Sequence, residues 1–226
     1  YKGKIVSFEP LTEAREKLLK TSKNDIHWEV APQAAIGEGN GEIEIHIAGN
    51  SESSSILKML EAHISAAPNS RYVGNERVPL RKLDTLTPDF IDKDSVVFLK
   101  IDTQGYEEQV MNGSHELMKK IVGLQLEISL IPLYEGHSLL DEMLENLKEK
   151  GLELWGMSTV FSDPVTAQLL QIDATFFRTQ TQSSKRSFTI TETKLNNRNI
   201  RKSALVFFKA ILYFIFDSIA VQGIPT

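Results

Sequence analysis

The sequence predicts an α/β fold, a mostly parallel sheet flanked by helices and closed by a late antiparallel strand. Three observations carry that reading. Val96, Val97, Phe98, Leu99 and Ile101 form a β-branched and aromatic run without polar alternation, the pattern of a strand covered on both faces. The run ends in Asp102, a glycine turn at Gly105 and a helix opened by Glu107 and Glu108, as when a strand feeds a crossover helix. Strand-like and helix-like segments then alternate until two strands follow one another before residue 178.

Taken in order, residues 4–8 read as a short buried strand stopped by Glu9-Pro10, and residues 12–20 as the helix that follows. Thr12 is its expected cap, with Glu13 and Glu16 early and Lys17 and Lys20 late, in line with the helix dipole. A strand is expected at 26–30. The alternation of residues 42–47 predicts a half-exposed strand with Ile43, Ile45 and Ile47 inward. Gly37, Gly39 and Gly41 before it read as a hairpin turn, since a cofactor loop should lead from a strand into a helix. Residues 49–75 read as a loop or lid with a short helix at 56–63. Residues 77–83 predict another strand, Pro88 a turn, and 107–120 a helix interrupted at Asn112-Gly113-Ser114. Residues 122–129 form a strand with Glu127 near its carboxyl end. The clearest helix spans 138–150: Ser138 caps it, Leu140, Met143, Leu144 and Leu147 form its apolar stripe, and Gly151 ends it. Strands at 152–155 and 169–178 complete the sheet.

A chain of 226 residues is one domain with an appendage, here 1–178 as the α/β domain, 179–203 as a polar linker and 204–226 as an apolar helix. Residues 204–221 are just long enough to span a bilayer core of about 30 Å. Lys209 and Asp217 oppose insertion, at about 2.5 to 3.5 kcal/mol for a charge at mid-helix. Lys209, Tyr213 and Asp217 also share one helical face, so a docked or interfacial helix competes with a spanning one. The net charge of −5 gives no footprint for a nucleic-acid backbone. The absence of cysteine excludes disulfides, thiolate zinc sites and thiol nucleophiles, and fits a reducing, cytoplasmic setting. The five histidines have no metal-ligand spacing and no phosphate-binding glycine loop exists, so no metal is expected. Asn112-Gly113-Ser114 matches a glycosylation acceptor by chance.

Asp102 is the first candidate site residue, because the carboxyl end of a strand in an open α/β sheet lines the ligand crevice. The competing reading is an ordinary turn residue. Glu107 and Glu108 read as helix stabilisers that meet the positive end of the dipole.

Residues 100–113, Lys-Ile-Asp-Thr-Gln-Gly-Tyr-Glu-Glu-Gln-Val-Met-Asn-Gly, resemble the signature of the FkbM-type S-adenosylmethionine-dependent methyltransferases, close to K-I-D-x-[EQ]-G-x-E-x-x-V-L-x-G. Residues 3–10, 34–41 with 53–57, and 123–136 resemble three further segments of that family in the same order, so the resemblance covers roughly residues 3–178. It implies a Rossmann-like class I methyltransferase sheet, S-adenosylmethionine as cofactor, and an acceptor oxygen on a sugar, glycan or secondary metabolite. Family members carry, upstream of the segment at 3–10, a first strand and a glycine-rich loop. This chain starts at Tyr1, after both, so the sheet is expected to lack its first strand, and a catalytically inactive remnant is the alternative to an enzyme.

The resemblance also implies roles. Glu9 is the carboxylate for the ribose hydroxyls, and an ionised carboxylate does offer two acceptor oxygens to a cis-diol. Ala35 and Ile36 match the segment beside the adenine, with plain strand core as the alternative. Asp102 matches the acid beside the transferred methyl group, where it contacts cofactor and orients the acceptor hydroxyl or takes its proton. By its position at the end of the neighbouring strand, Glu127 is expected to share that duty, and two carboxyl groups so close raise one another's pKa or hold a divalent cation together. His137 reads as a loop histidine that competes weakly for the role of base.

Overall fold

The computed structural model describes residues 3–179 with their side chains, and the backbone of Ser203–Phe208. Ten strands occur among the described residues: β1 (Lys4–Phe8), β2 (Trp28–Val30), β3 (Ala35–Ile36), β4 (Gly41–Ala48), β5 (Tyr72–Arg81), β6 (Val96–Ile101), β7 (Ile121–Ser129), β8 (Leu152–Ser162), β9 (Leu169–Arg178) and β10 (Ser203–Phe208). Six helices accompany them: α1 (Thr12–Ser22), α2 (Glu61–Ala66), α3 (Leu83–Leu86), α4 (Glu107–Asn112), α5 (His115–Met118) and α6 (Leu140–Glu149). They build a mixed α/β architecture with two sheets.

The larger sheet runs β2-β1-β10-β6-β7-β9-β8. Its first five strands are parallel, and β9 pairs antiparallel with both β7 and β8. Val6, Val97, Leu99, Ile101, Leu124 and Leu126 are fully buried in it, which is why their segments read as unbroken apolar runs. Val110 and Met111 of α4, Leu117 of α5 and Leu147 of α6 close over the same core. The smaller sheet, β3-β5-β4, packs Ala35, Ile45 and Val78 into a separate apolar cluster with Leu11.

Several expectations need correction. Residues 37–40 are not a hairpin turn: β3 and β4 pair with opposite sides of β5, and the loop crosses the end of β5, where Gly37 N–H donates to the Arg81 carbonyl at 3.0 Å. Glycine is required along that path, because a Cβ on Gly113 would lie 1.9 Å from the Gly37 carbonyl oxygen. Neither Thr12 nor Ser138 is a helix cap. Leu11 and Leu139 hold those positions, Leu139 N–H donates to Glu142 at 3.0 Å, and Ser138 bonds Glu108 instead. The expected helix at 56–63 lies later, at Glu61–Ala66, and the strand expected at 152–155 extends to Ser162.

The largest departure is β10. Residues 204–208, expected to open an apolar helix, are a strand in the middle of the sheet, and the rest of that expected helix, like the linker at 180–202, lies outside the described residues. Lys4 to Phe8 pair with Ala204 to Phe208, and Ser203 to Phe207 pair with Val96 to Lys100. The interval between β1 and β6, where a missing first strand would leave a gap, is therefore filled. Ala-Leu-Val-Phe-Phe is itself an apolar run without alternation, suited to a central parallel strand. No helix among the described residues is long and apolar enough to cross a membrane.

Candidate functional site

Glu9 follows β1 and Asp102 follows β6, and both strands point the same way on either side of β10. Their carboxyl groups consequently stand at one edge of the sheet, with about two strand spacings of 4.8 Å between the strands that carry them. Both are buried, Glu9 at 2% exposure and Asp102 at 6%. Charged side chains reach such burial only with partners. Glu9 Oε1 accepts from the Leu11 N–H at 2.9 Å, and Asp102 Oδ1 accepts from Gln104 Nε2 at 3.1 Å.

Between them opens a narrow crevice lined by Phe8, Pro10, Ala34, Ala35, Ile36 and Thr103, with Ile45 and residues 54–56 completing its wall. It holds about 400 Å³ of empty space counting its solvent-open mouth, while a water-sized body has only about 30 Å³ to move in. Ala35 and Ile36, 3% and 5% exposed, belong to the core, as the alternative reading expected, and also to this wall. A flat ring system enters only if the lining side chains part.

Behind Thr103, outside the lining of the crevice itself, a second and polar bank begins at Asp102. Lys100 and Asp102 are two residues apart on one strand and so face the same way. The register of β6 with β7, Lys100 against Gln125 and Ile101 against Leu126, carried one residue further sets Asp102 beside Glu127, and Glu127 in turn pairs directly with Asp173 on β9. Lys100 Nζ lies 3.9 Å from Asp102 Oδ2 and 3.7 Å from Asp173 Oδ2, both at ion-pair range. Glu127 Oε1 accepts from Gln104 Nε2 at 2.7 Å and from Gln171 Nε2 at 2.8 Å. Gln104 Oε1 accepts from the Tyr134 hydroxyl at 2.7 Å. Burial, then the charges of Asp102 and Glu107, push the Glu127 carboxyl well above the ordinary range.

Glu107 has a larger part than helix stabilisation. It is buried, and its Oε1 accepts from Thr103 N–H at 2.8 Å, Thr103 Oγ1 at 3.1 Å and Gly105 N–H at 3.2 Å, which folds the turn after Asp102. Burial still outweighs those donors and raises its pKa to about 7. Gly105 has φ +96°, and a Cβ there would come within 3.2 Å of Tyr134, His137 and Leu57. His137 Nε2 accepts from the Leu133 N–H at 3.1 Å, and burial lowers its pKa, so it serves the loop backbone. Among the described residues no group of three or more acidic or histidine side chains is arranged to hold a metal ion.

Of the residues that the sequence reading named, Glu9, Asp102 and Glu127 stand on the larger sheet, with Glu127 beside Asp102, while Ala35 and Ile36 lie on β3 of the smaller sheet, in the crevice wall. That reading missed Lys100, Gln104, Glu107, Tyr134, Gln171 and Asp173. One signal was available: a lysine inside a run otherwise fit for full burial calls for a buried anion nearby. The other members come from strands and loops distant in sequence.

A buried strand edge with paired carboxyl groups beside an apolar crevice is the place where open α/β sheets take their ligands, and the class shown is a mixed α/β protein. The particular family follows from comparison: the family model described as the methyltransferase FkbM domain matches residues 1–154, and the chain belongs to that family. No curated protein and no solved structure matches the chain.

Proposed function

We propose that the chain is an S-adenosylmethionine-dependent methyltransferase domain acting on an acceptor oxygen, a hydroxyl of a sugar, glycan or secondary metabolite. Membership of the FkbM family supports methyl transfer, and the observation that carries the finer reading is the pairing of an apolar crevice with Glu9 and Asp102 at one sheet edge. The order β2-β1-β10-β6-β7-β9-β8, with β9 alone reversed against both neighbours, supports a Rossmann-like class I methyltransferase sheet with β10 in the first strand's place.

The residues fit the cofactor. Ala35 and Ile36 offer a small, apolar wall suited to an adenine, and Glu9, held by the Leu11 N–H between the lining residues Phe8 and Pro10, is the carboxylate we assign to the ribose hydroxyls. S-adenosylmethionine supplies an activated methyl group on a sulfonium, so little covalent help is needed and alignment dominates. With the cofactor bound, Asp102 would face its reactive end and would orient the acceptor hydroxyl, and Asp102 or Glu127 would take the proton that the hydroxyl gives up. Burial and the neighbouring acids raise the Glu127 carboxyl, and Lys100 stands at ion-pair range of Asp102, at 3.9 Å. We assign the small-molecule or glycan acceptor as partner, and the net charge of −5 supports no nucleic-acid alternative.

One observation favours a second reading, a binding remnant without catalysis. The strand between β1 and β6 leads into Lys209-Ala210-Ile211-Leu212, and no glycine follows before Gly223, whereas the family's glycine-rich loop belongs at that point. Calorimetric titration with S-adenosylhomocysteine separates the two. Binding by the unaltered chain, weakened about 10- to 100-fold in Glu9→Gln by loss of charged hydrogen bonds, is the result expected of the cofactor site. A flat titration of the unaltered, folded chain overturns it.

A further inference from the structure

We propose that Gln104 is a positioning residue that lets Asp102 and Glu127 share one buried site, by clamping both carboxyl groups with a single amide. This rests on the reading of that edge as the acceptor site. The geometry is specific. Gln104 Nε2 reaches Asp102 Oδ1 at 3.1 Å and Glu127 Oε1 at 2.7 Å, so both its N–H bonds are aimed at carboxyl oxygens. Its Oε1 faces the Tyr134 hydroxyl at 2.7 Å. The amide has one orientation that satisfies these neighbours, because carboxylates only accept while a phenol can donate. Burial keeps the Tyr134 phenol protonated and hence a donor.

The backbone is bent to deliver this side chain. Gln104 has φ +55°, a left-handed conformation that is unfavourable for a residue with a Cβ. Such strain persists where the surroundings over-determine it. Here they do: Ser55 Oγ donates to the Gln104 carbonyl at 2.7 Å from the far wall of the crevice, and Glu107 ties the amides on either side of it, Thr103 N–H and Gly105 N–H. Gln104 thus couples the apolar wall, through Ser55, to the two acids.

Glutamate and glutamine are interchangeable in the pattern that residues 100–113 resemble, and in this chain they are not equivalent. Glutamate has the same shape but no N–H, and it would bring a third carboxyl group against Asp102 and Glu127. The charged and titratable groups that meet there are Lys100 and Asp102 from β6, Glu107 from α4, Glu127 from β7, Asp173 from β9, Tyr134 and His137 from the loop after β7, and His63 of α2 packed on Tyr134. Only one of them near the three carboxyls, Lys100, is a fixed cation.

The test is urea unfolding of the full chain from pH 5 to pH 8 for the unaltered protein, Gln104→Glu and Gln104→Met. A carboxyl whose folded pKa exceeds its unfolded value of about 4.3 costs nothing below that pH and more at each step above it. Gln104→Glu should therefore lose at least about tenfold more in its folding constant at pH 8 than at pH 5, relative to the unaltered chain. Gln104→Met, which strips the donors without adding charge, should slope the same way but less. Losses equal at every pH in both variants would mean that Gln104 merely fills space, and would overturn the proposal. S-adenosylhomocysteine titration of the unaltered chain runs alongside: its failure strikes the cofactor reading and leaves the pH slopes to judge Gln104.

Discussion

The two banks of the crevice are built by different forces. The bank of Phe8, Ala34, Ala35, Ile36 and Ile45 is apolar and held by burial, and its shape is its only specificity. The bank of Lys100, Asp102, Gln104, Glu127, Tyr134 and Asp173 lies behind the crevice lining, buried except for the half-buried Asp173, and is held by directed hydrogen bonds and ion pairs. Burial that is uncharged is indifferent to pH, whereas buried carboxyls make stability a function of it. The contrast teaches that an apolar wall and a hydrogen-bonded acid cluster, set side by side, should fail in different ways.

The largest effect should come from breaking the joint between the banks. Gly113, at the end of α4, packs onto the Gly37 backbone of the loop after β3. Gly113→Ala drives a methyl group into that carbonyl and should cost more than about 3 kcal/mol in chemical denaturation, damaging both banks together. A loss under about 1 kcal/mol would mean that the banks are not rigidly joined.

The pH contrast sharpens the comparison next. Ile36→Ala should cost about 2 to 5 kcal/mol, by the same amount at pH 5 and pH 8, because only contacts and apolar burial are lost. Glu107 behaves oppositely. Its folded pKa of about 7 lies above the unfolded value, so the stability tied to its protonated form is complete below about pH 4.3 and is lost as pH rises to 7. Glu107→Gln should flatten that part of the unaltered chain's stability profile, by an amount on the order of 3 kcal/mol across the window. An unchanged profile would remove Glu107 as a titrating group.

The smallest effect falls on the residue that touches both banks. Thr103 lines the crevice and gives Glu107 two hydrogen bonds, one from its hydroxyl. Thr103→Val removes the hydroxyl alone and should cost about 1 kcal/mol, more at pH 8 than at pH 5 because a carboxylate accepts more strongly than a carboxylic acid. Urea midpoints at the two pH values read it directly.

Legibility in the sequence followed the same division. The apolar runs of β1 and β6 and the stripe of α6 could be read because each is set by neighbours within a few residues. Asp102 and Glu9 could be read because a strand's end is a local event. The clamp on Asp102 could not, since Gln104 matters only once register has brought Glu127 and Tyr134 against it. β10 was misread for a related reason: a short apolar run fits a buried strand or a helix equally well, and length, which favoured the helix at 204–221, is a poor arbiter when only part of the run enters the sheet.

The sequence by itself determined the α/β character, the strand ends that carry Glu9 and Asp102, and the turn glycine at 105, all consequences of side-chain periodicity and backbone sterics acting over short range. Tertiary structure alone decided that Ser203–Phe208 lies between β1 and β6, that β3 and β4 flank β5, and that Asp102, Glu127 and Asp173 line up across three strands. Pairing between distant segments is chosen by the burial and hydrogen bonding of the whole sheet, and no local pattern encodes it.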